Sequence, residues 1–255
     1  MSGNQKAQIC ADAINGLLNE VINIATKDGG LRNYIDVGFI GYGAEKESIF
    51  LFQEGLFTLT ELDKQKTSIE KKIFTKKVRN TEITEEKEVS IWIEPVAKGG
   101  TPMGSAFDKA FETLQKWINI HPNSFPPVVI NISDGQPTDA NDEKMLEKAL
   151  KIKNLHTTDG KALLFNCHLG EANAISLIFP ENRNELPAND KYAVLMYDMS
   201  STLPAQFHKK IAQIKNQDIS ENAQIVAMGF NNQATDLLSL LEVGTKTQMT
   251  AITQK

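Results

Sequence analysis

The chain has 255 residues, of which 41% are hydrophobic and 23% charged, a balance ordinary for a soluble globular protein. At this length a core can bury roughly 70–75% of the unfolded surface, so folding requires neither disulfides nor a metal. A net charge of −5 and a pI near 5.5 argue against nucleic acid as the main partner, because phosphate binding needs a basic face.

The two cysteines, Cys10 and Cys167, lie in apolar-patterned stretches outside any CxxC pair, which reads as buried thiols in a reducing compartment. The opening residues lack an apolar core of signal-peptide length. No apolar run approaches the ~20 residues a membrane span needs. The expectation is a cytoplasmic chain with no membrane partner.

The first predicted element is a helix from about Lys6 to Thr26, with Ile14, Leu17, Leu18, Val21 and Ile22 on one face. Asp28-Gly29-Gly30 stops it. Tyr34–Gly43 reads as a buried strand and Ser48–Phe52 as a second. The short connection between them permits an antiparallel hairpin but not a parallel crossover.

Residues 64–94 pair a lysine-rich arm, ending at Arg79, with a glutamate-rich arm beginning at Glu82. Both carry β-branched residues, so an inserted β-hairpin is predicted over about 60–95, with opposite charges facing across the strands.

Beyond Gly99-Gly100-Thr101-Pro102 the residues Phe107, Ala110, Phe111, Leu114, Trp117 and Ile118 define an amphipathic helix. Pro127–Ile132 is a fully apolar strand. Asp142–Lys153 follows as a helix, Ala162–Cys167 as a strand, Tyr192–Tyr197 as a short strand, Pro204–Lys215 as a helix, and Ala234–Leu241 as the last helix. Alternation at this spacing predicts an α/β fold: a mainly parallel central sheet flanked by helices, one antiparallel edge strand, and a single domain over 1–255.

In an open α/β sheet, ligands bind at the carboxyl ends of the strands. Two segments put polar groups there. Ser133-Asp134-Gly135-Gln136-Pro137-Thr138-Asp139 places a carboxylate directly after an apolar strand, and Gly99-Gly100-Thr101-Pro102 places a hydroxyl at the mouth of a helix. Each alone is equally a turn or a helix entry. Together they make an oxygen-only pair suited to a hard cation, Mg²⁺, Mn²⁺ or Ca²⁺.

These two segments resemble the second and third loops of the von Willebrand factor A (VWA) fold. The more specific likeness is to bacterial tellurium-resistance-type (TerY-like) proteins, to which Gly229-Phe230-Asn231 and Leu241–Thr245 are also similar. The resemblance implies a Rossmann-like fold and a metal-ion-dependent adhesion site in which Thr101 and Asp134 are ligands. It implies a protein partner that presents an acidic side chain to the ion, and a stress or metal-response setting with a kinase and a phosphatase. Met1-Ser2-Gly3 resembles the Met-x-Gly that follows the family's first motif, Asp-x-Ser-x-Ser. That motif and the strand before it are therefore expected to be missing, with metal affinity poor as a result.

The alternatives are a metal-dependent hydrolase using Asp134 and a structural domain with an incomplete metal site. His121, His156, His168 and His208 are scattered, and no nucleophile elbow or phosphate-binding loop is present. A binding module, not an enzyme, is the expectation.

Overall fold

The computed structural model describes residues 3–43, 47–78, 81–97, 99–171 and 174–253. In chain order these form α1 (Gly3–Ala25), the pair β1 (Thr26–Lys27) and β2 (Gly30–Leu31), then β3 (Asp36–Val37), β4 (Ile40–Gly41), β5 (Ile49–Phe50) and β6 (Phe57–Thr58). Next come α2 (Leu59–Lys64), the hairpin β7 (Ser68–Val78) and β8 (Thr81–Ile91), α3 (Met103–Ile120), β9 (Val128–Ser133) and α4 (Asp142–Asn154). The pair β10 (His156–Thr157) and β11 (Gly160–Lys161) leads into β12 (Leu163–Leu169) and β13 (Leu177–Ile178). The remainder is α5 (Lys191–Met199), α6 (His208–Lys215), β14 (Met228–Asn232) and α7 (Ala234–Thr253).

The fold is α/β. Its central sheet runs β13-β14-β12-β9, with β9, β12 and β14 parallel and β13 antiparallel at the edge. Side chains alternate along β12. Leu163, Phe165, Cys167 and Leu169 enter one core cluster, formed with α1, α6 and α7. Leu164 enters the other, formed with α3, α4 and α5. Each fully buried side chain of this size stabilises the fold by about 1.5–3 kcal/mol. A parallel sheet covered on both faces explains why its strands read as continuous apolar runs.

Two tight hairpins follow helices. After α1, Lys27 pairs with Gly30 around Asp28-Gly29; after α4, Thr157 pairs with Gly160 around Thr158-Asp159. Gly30 and Gly160 have φ of 103° and 144°, values that side chains disfavour. The Asp-Gly-Gly stop is therefore a hairpin.

A chain of buried amides crosses the sheet. Asn131 on β9 donates to Asn166 Oδ1 on β12 (2.9 Å), Asn166 donates to Ser200 Oγ (3.0 Å), and Ser200 donates to the Met196 carbonyl (2.7 Å). Asn131 and Asn166 are register partners, so the pair is built by the parallel ladder itself.

The charged hairpin pairs fully from Ser68↔Ile91 to Val78↔Thr81. Lys71 opposes Glu88 and Lys77 opposes Glu82, as the charge pattern predicts, but Lys72 opposes Lys87. The connecting Arg79 and Asn80 lie outside the described residues. The base of the hairpin is fixed by α1. Asn15 Oδ1 accepts from the Trp92 and Ile93 amides (2.9 and 3.0 Å), while its Nδ2 donates to the Ile93 carbonyl (2.9 Å). One turn on, Asn19 makes the same exchange with Ser90 (3.0 and 2.8 Å). Two side-chain amides thus act as a short strand edge for a backbone that lacks one.

Other expectations require correction. Tyr192–Tyr197 is helical, within α5, because Asp190 caps the amides of Tyr192 and Ala193 and a short apolar run has no intrinsic period to exclude it. The antiparallel strand of the central sheet is β13; Ser48–Phe52 supplies only β5, which pairs with β4 outside that sheet. The strand β14 has no counterpart among the predicted elements, although Ile225–Phe230 is almost wholly apolar. The final helix runs on to Thr253. The α6 helix begins at His208 after a 3₁₀ turn at Ala205–Phe207.

β9 forms the second edge of the central sheet. Beside it lies a cavity of about 1080 Å³, whose lining includes both β9 and the stretch Asn33–Tyr42. No helix among the described residues is long and apolar enough to cross a membrane.

Asn15→Ala leaves buried backbone groups of Trp92 and Ile93 unpaired and is expected to destabilise the fold by about 1–3 kcal/mol. Urea unfolding followed by tryptophan fluorescence measures this.

Candidate functional site

At the carboxyl end of β9 the chain turns around Ser133. Its Oγ accepts from the Gly135 amide (3.1 Å) and donates to the Gly135 carbonyl (2.6 Å). Tyr192 Oη, from α5, donates to the same carbonyl (2.7 Å). The loop that follows is tied to the one before α3. The Thr138 amide donates to the Thr101 carbonyl (2.9 Å), and the Thr101 amide donates to Thr138 Oγ1 (2.9 Å).

The strongest tie is Asp139. Its two carboxylate oxygens accept from the amides of Gly104 and Ser105 (2.9 and 2.7 Å). Pro102, the residue at the N-cap of α3, provides no side-chain cap. Asp139 therefore caps α3 from a different loop, with its negative charge at the positive end of the helix dipole. Thr101, which the sequence places near this N-cap, does not cap.

Ser133, Thr138 and Asp139 thus spend their side chains on holding the loops. Thr101 and Asp134 do not. Among the described residues no hydrogen bond or ion pair engages the Thr101 hydroxyl or the Asp134 carboxylate, and Asp134 is exposed. Thr101 Oγ1 lies 3.2 Å from the point where a side chain on Gly135 would begin, so a larger residue there would press on the hydroxyl. The two loops that carry these residues therefore adjoin on one rim of the sheet.

This donor set fits a hard divalent cation in kind: one carboxylate, one hydroxyl, no sulfur or imidazole. Mg²⁺ commonly takes only one or two carboxylates and keeps several waters, so water would supply most of the remaining ligands. No group of three or more His, Cys, Asp or Glu side chains suited to a metal occurs among the described residues.

Several neighbours of Asp134 went unread in the sequence. Burial pushes the Cys10 thiol up to about 12, and the Asp134 charge adds to the rise. Burial likewise raises the Tyr192 phenol to about 12, again with a contribution from Asp134. Tyr42 is raised well above its usual value, first by burial and then by Tyr192 and Cys10. These are neutral, uncharged donors beside the exposed Asp134 carboxylate. No spacing rule connects residues 10, 42, 134 and 192; only the fold does.

His168, at the end of β12, stacks on Phe230 (ring centroids 4.6 Å apart) and meets Tyr192 edge-on (5.5 Å). Burial holds its imidazole below the ordinary value, and the Lys6 ammonium lowers it further against the pull of Asp190 and Asp134. Lys6, buried on α1, pairs with Glu171 (2.8 Å), and this bond pulls the Glu171 carboxyl down to about 2. Cys10 and Cys167 are both free. His121 stacks on Trp117, and both ring nitrogens of His208 are buried without a partner among the described residues.

Comparison with protein-family models, with curated proteins and with solved structures finds no match to this chain. The site's own geometry therefore carries the functional argument.

Asp139→Ala removes the cap of α3 and one tie between the loops, and is expected to cost about 1–2 kcal/mol in chemical denaturation. For His168 the folded ring favours the neutral form. Its contribution to stability is complete above about pH 6.5 and is lost as the pH falls through the lower folded value. His168→Gln is expected to reduce the loss of stability between pH 7 and pH 5, measured by urea midpoints at both.

Proposed function

We propose that the chain is a VWA-type, metal-ion-dependent protein-binding module. The observation that supports this most directly is selective engagement at the rim. Every polar side chain that holds the two loops together is committed, while Thr101 and Asp134 are left without a partner among the described residues. An exposed carboxylate beside committed neighbours is free to take a hard cation. The parallel order of β9, β12 and β14, with helices on both faces, is compatible with that family's architecture.

In this reading Thr101 and Asp134 hold Mg²⁺, or Mn²⁺ or Ca²⁺ in its place, and Asp139 and Thr138 keep the two loops at a fixed separation. The bound ion supplies an open coordination position that orients an acidic side chain from a protein partner. Such a contact is a charge-assisted bond across an interface, and it makes recognition dependent on the ion. Tyr42, Tyr192 and Cys10 stay neutral beside Asp134, and the Lys6 ammonium at this end of the sheet is paired with Glu171. A setting beside a kinase and a phosphatase in a bacterial metal-stress response belongs to the same proposal, on resemblance alone.

Isothermal titration with Mg²⁺ and Mn²⁺ tests the site. With two protein ligands the expected affinity is weak, on the order of 0.1–1 mM. Asp134→Ala is expected to remove binding and Thr101→Ala to weaken it, with both proteins as stable as the parent. Undiminished binding by Asp134→Ala would refute the assignment.

A further inference from the structure

We propose that the cavity beside β9 is a receptor slot for one extended, continuously apolar peptide segment that pairs with the free edge of β9 as an added strand. The first observation is the parity of the β9 ladder. Leu163 pairs with Val128, and the Leu163 amide donates to the Pro127 carbonyl (3.0 Å). In a parallel ladder this commits the odd-numbered groups of β9 to β12. The amides and carbonyls of Val128, Ile130 and Ile132 therefore point the other way, into the cavity. Among the described residues their one hydrogen-bond partner on that side is Tyr42, whose hydroxyl donates to the Ile132 carbonyl (2.6 Å). The same hydroxyl lies 2.5 Å from Asn131 Oδ1. An edge of this kind inside a protein leaves backbone groups unsatisfied unless a partner covers them.

The second observation is the opposite wall. β3 and β4 each have a single neighbour, β6 and β5 respectively, and the residues between Asn33 and Tyr42 line the cavity. The strands β3, β4 and β9 thus line one space. β9 has six residues, a length of about 20 Å in extended form. The cavity's volume of about 1080 Å³ is at the upper end of ligand pockets, which run about 300–1,000 Å³.

The third observation decides the chemistry of the occupant. Ile14, Leu17 and Leu18 of α1 line one face of the cavity, and Phe107, Ala110 and Leu114 of α3 line the other. An inserted segment is apolar on both of its faces, so a continuous apolar run fits and an alternating apolar–polar strand does not. Backbone pairing supplies the affinity, and the two helix faces supply the selection.

The test uses the full chain and a synthetic ten-residue probe, six alternating valines and isoleucines between lysine pairs. Amide hydrogen exchange is read at Val128, Ile130 and Ile132. These amides are expected to exchange about tenfold more slowly with the probe present. Two control peptides are expected to have no effect: one alternating valine with lysine, and one N-methylated at every second apolar residue, which keeps the side chains but cannot complete a ladder. Unchanged exchange along β9 would overturn the proposal. Equal protection by the N-methylated peptide would also overturn it, because the slot would then be a general apolar cavity with no strand pairing.

Discussion

The clamp between Asp139 and the amides of Gly104 and Ser105 is the constraint on which the rim depends. α3 has no cap of its own, since Pro102 has no side-chain donor or acceptor to offer. Its first amides would face the rim unpaired, a cost that burial makes larger. By borrowing a carboxylate from the loop after β9, the helix is satisfied and the two loops are fixed together in one step. The reciprocal bonds between Thr101 and Thr138 then set their register.

This arrangement separates structural from functional polarity. Ser133, Thr138 and Asp139 are consumed in holding the rim, while the Asp134 carboxylate and the Thr101 hydroxyl are unengaged among the described residues. The groups that feel the Asp134 charge include two phenols and a thiol kept neutral by burial. With the Asp139 carboxylate committed to the α3 amides, the exposed Asp134 carboxylate is the one in this loop left to attract a cation, and two protein ligands would hold that cation weakly.

The interior follows a second logic, in which side-chain amides replace missing backbone partners. Asn15 and Asn19 finish the base of the charged hairpin, and Asn131 and Asn166 join adjacent strands across the sheet. The outer edge of β9 has no such substitute among the described residues for most of its length, with Tyr42 covering the last carbonyl. In the slot, backbone polarity and apolar walls meet along the even-numbered groups of β9, and this contrast is what marks it.

Much of this was written in local sequence. The 3.6-residue period of α1 and α3, the apolar runs of β9 and β12, and the charge pattern of the long hairpin each specify their element, because period and propensity act over a few neighbouring residues. So does the position of Asp134 just after a buried strand. The Tyr192–Tyr197 run shows the limit: six apolar residues suit a strand or a buried helix equally, and the Asp190 cap decided for helix. What only the tertiary structure determined is who meets whom. That Asp139 caps a helix begun 36 residues earlier, that Cys10, Tyr42 and Tyr192 gather about Asp134, and that β9 keeps an open edge are consequences of chain crossings. Long-range contacts of this kind are fixed by packing and burial over the whole core, and no local period carries them.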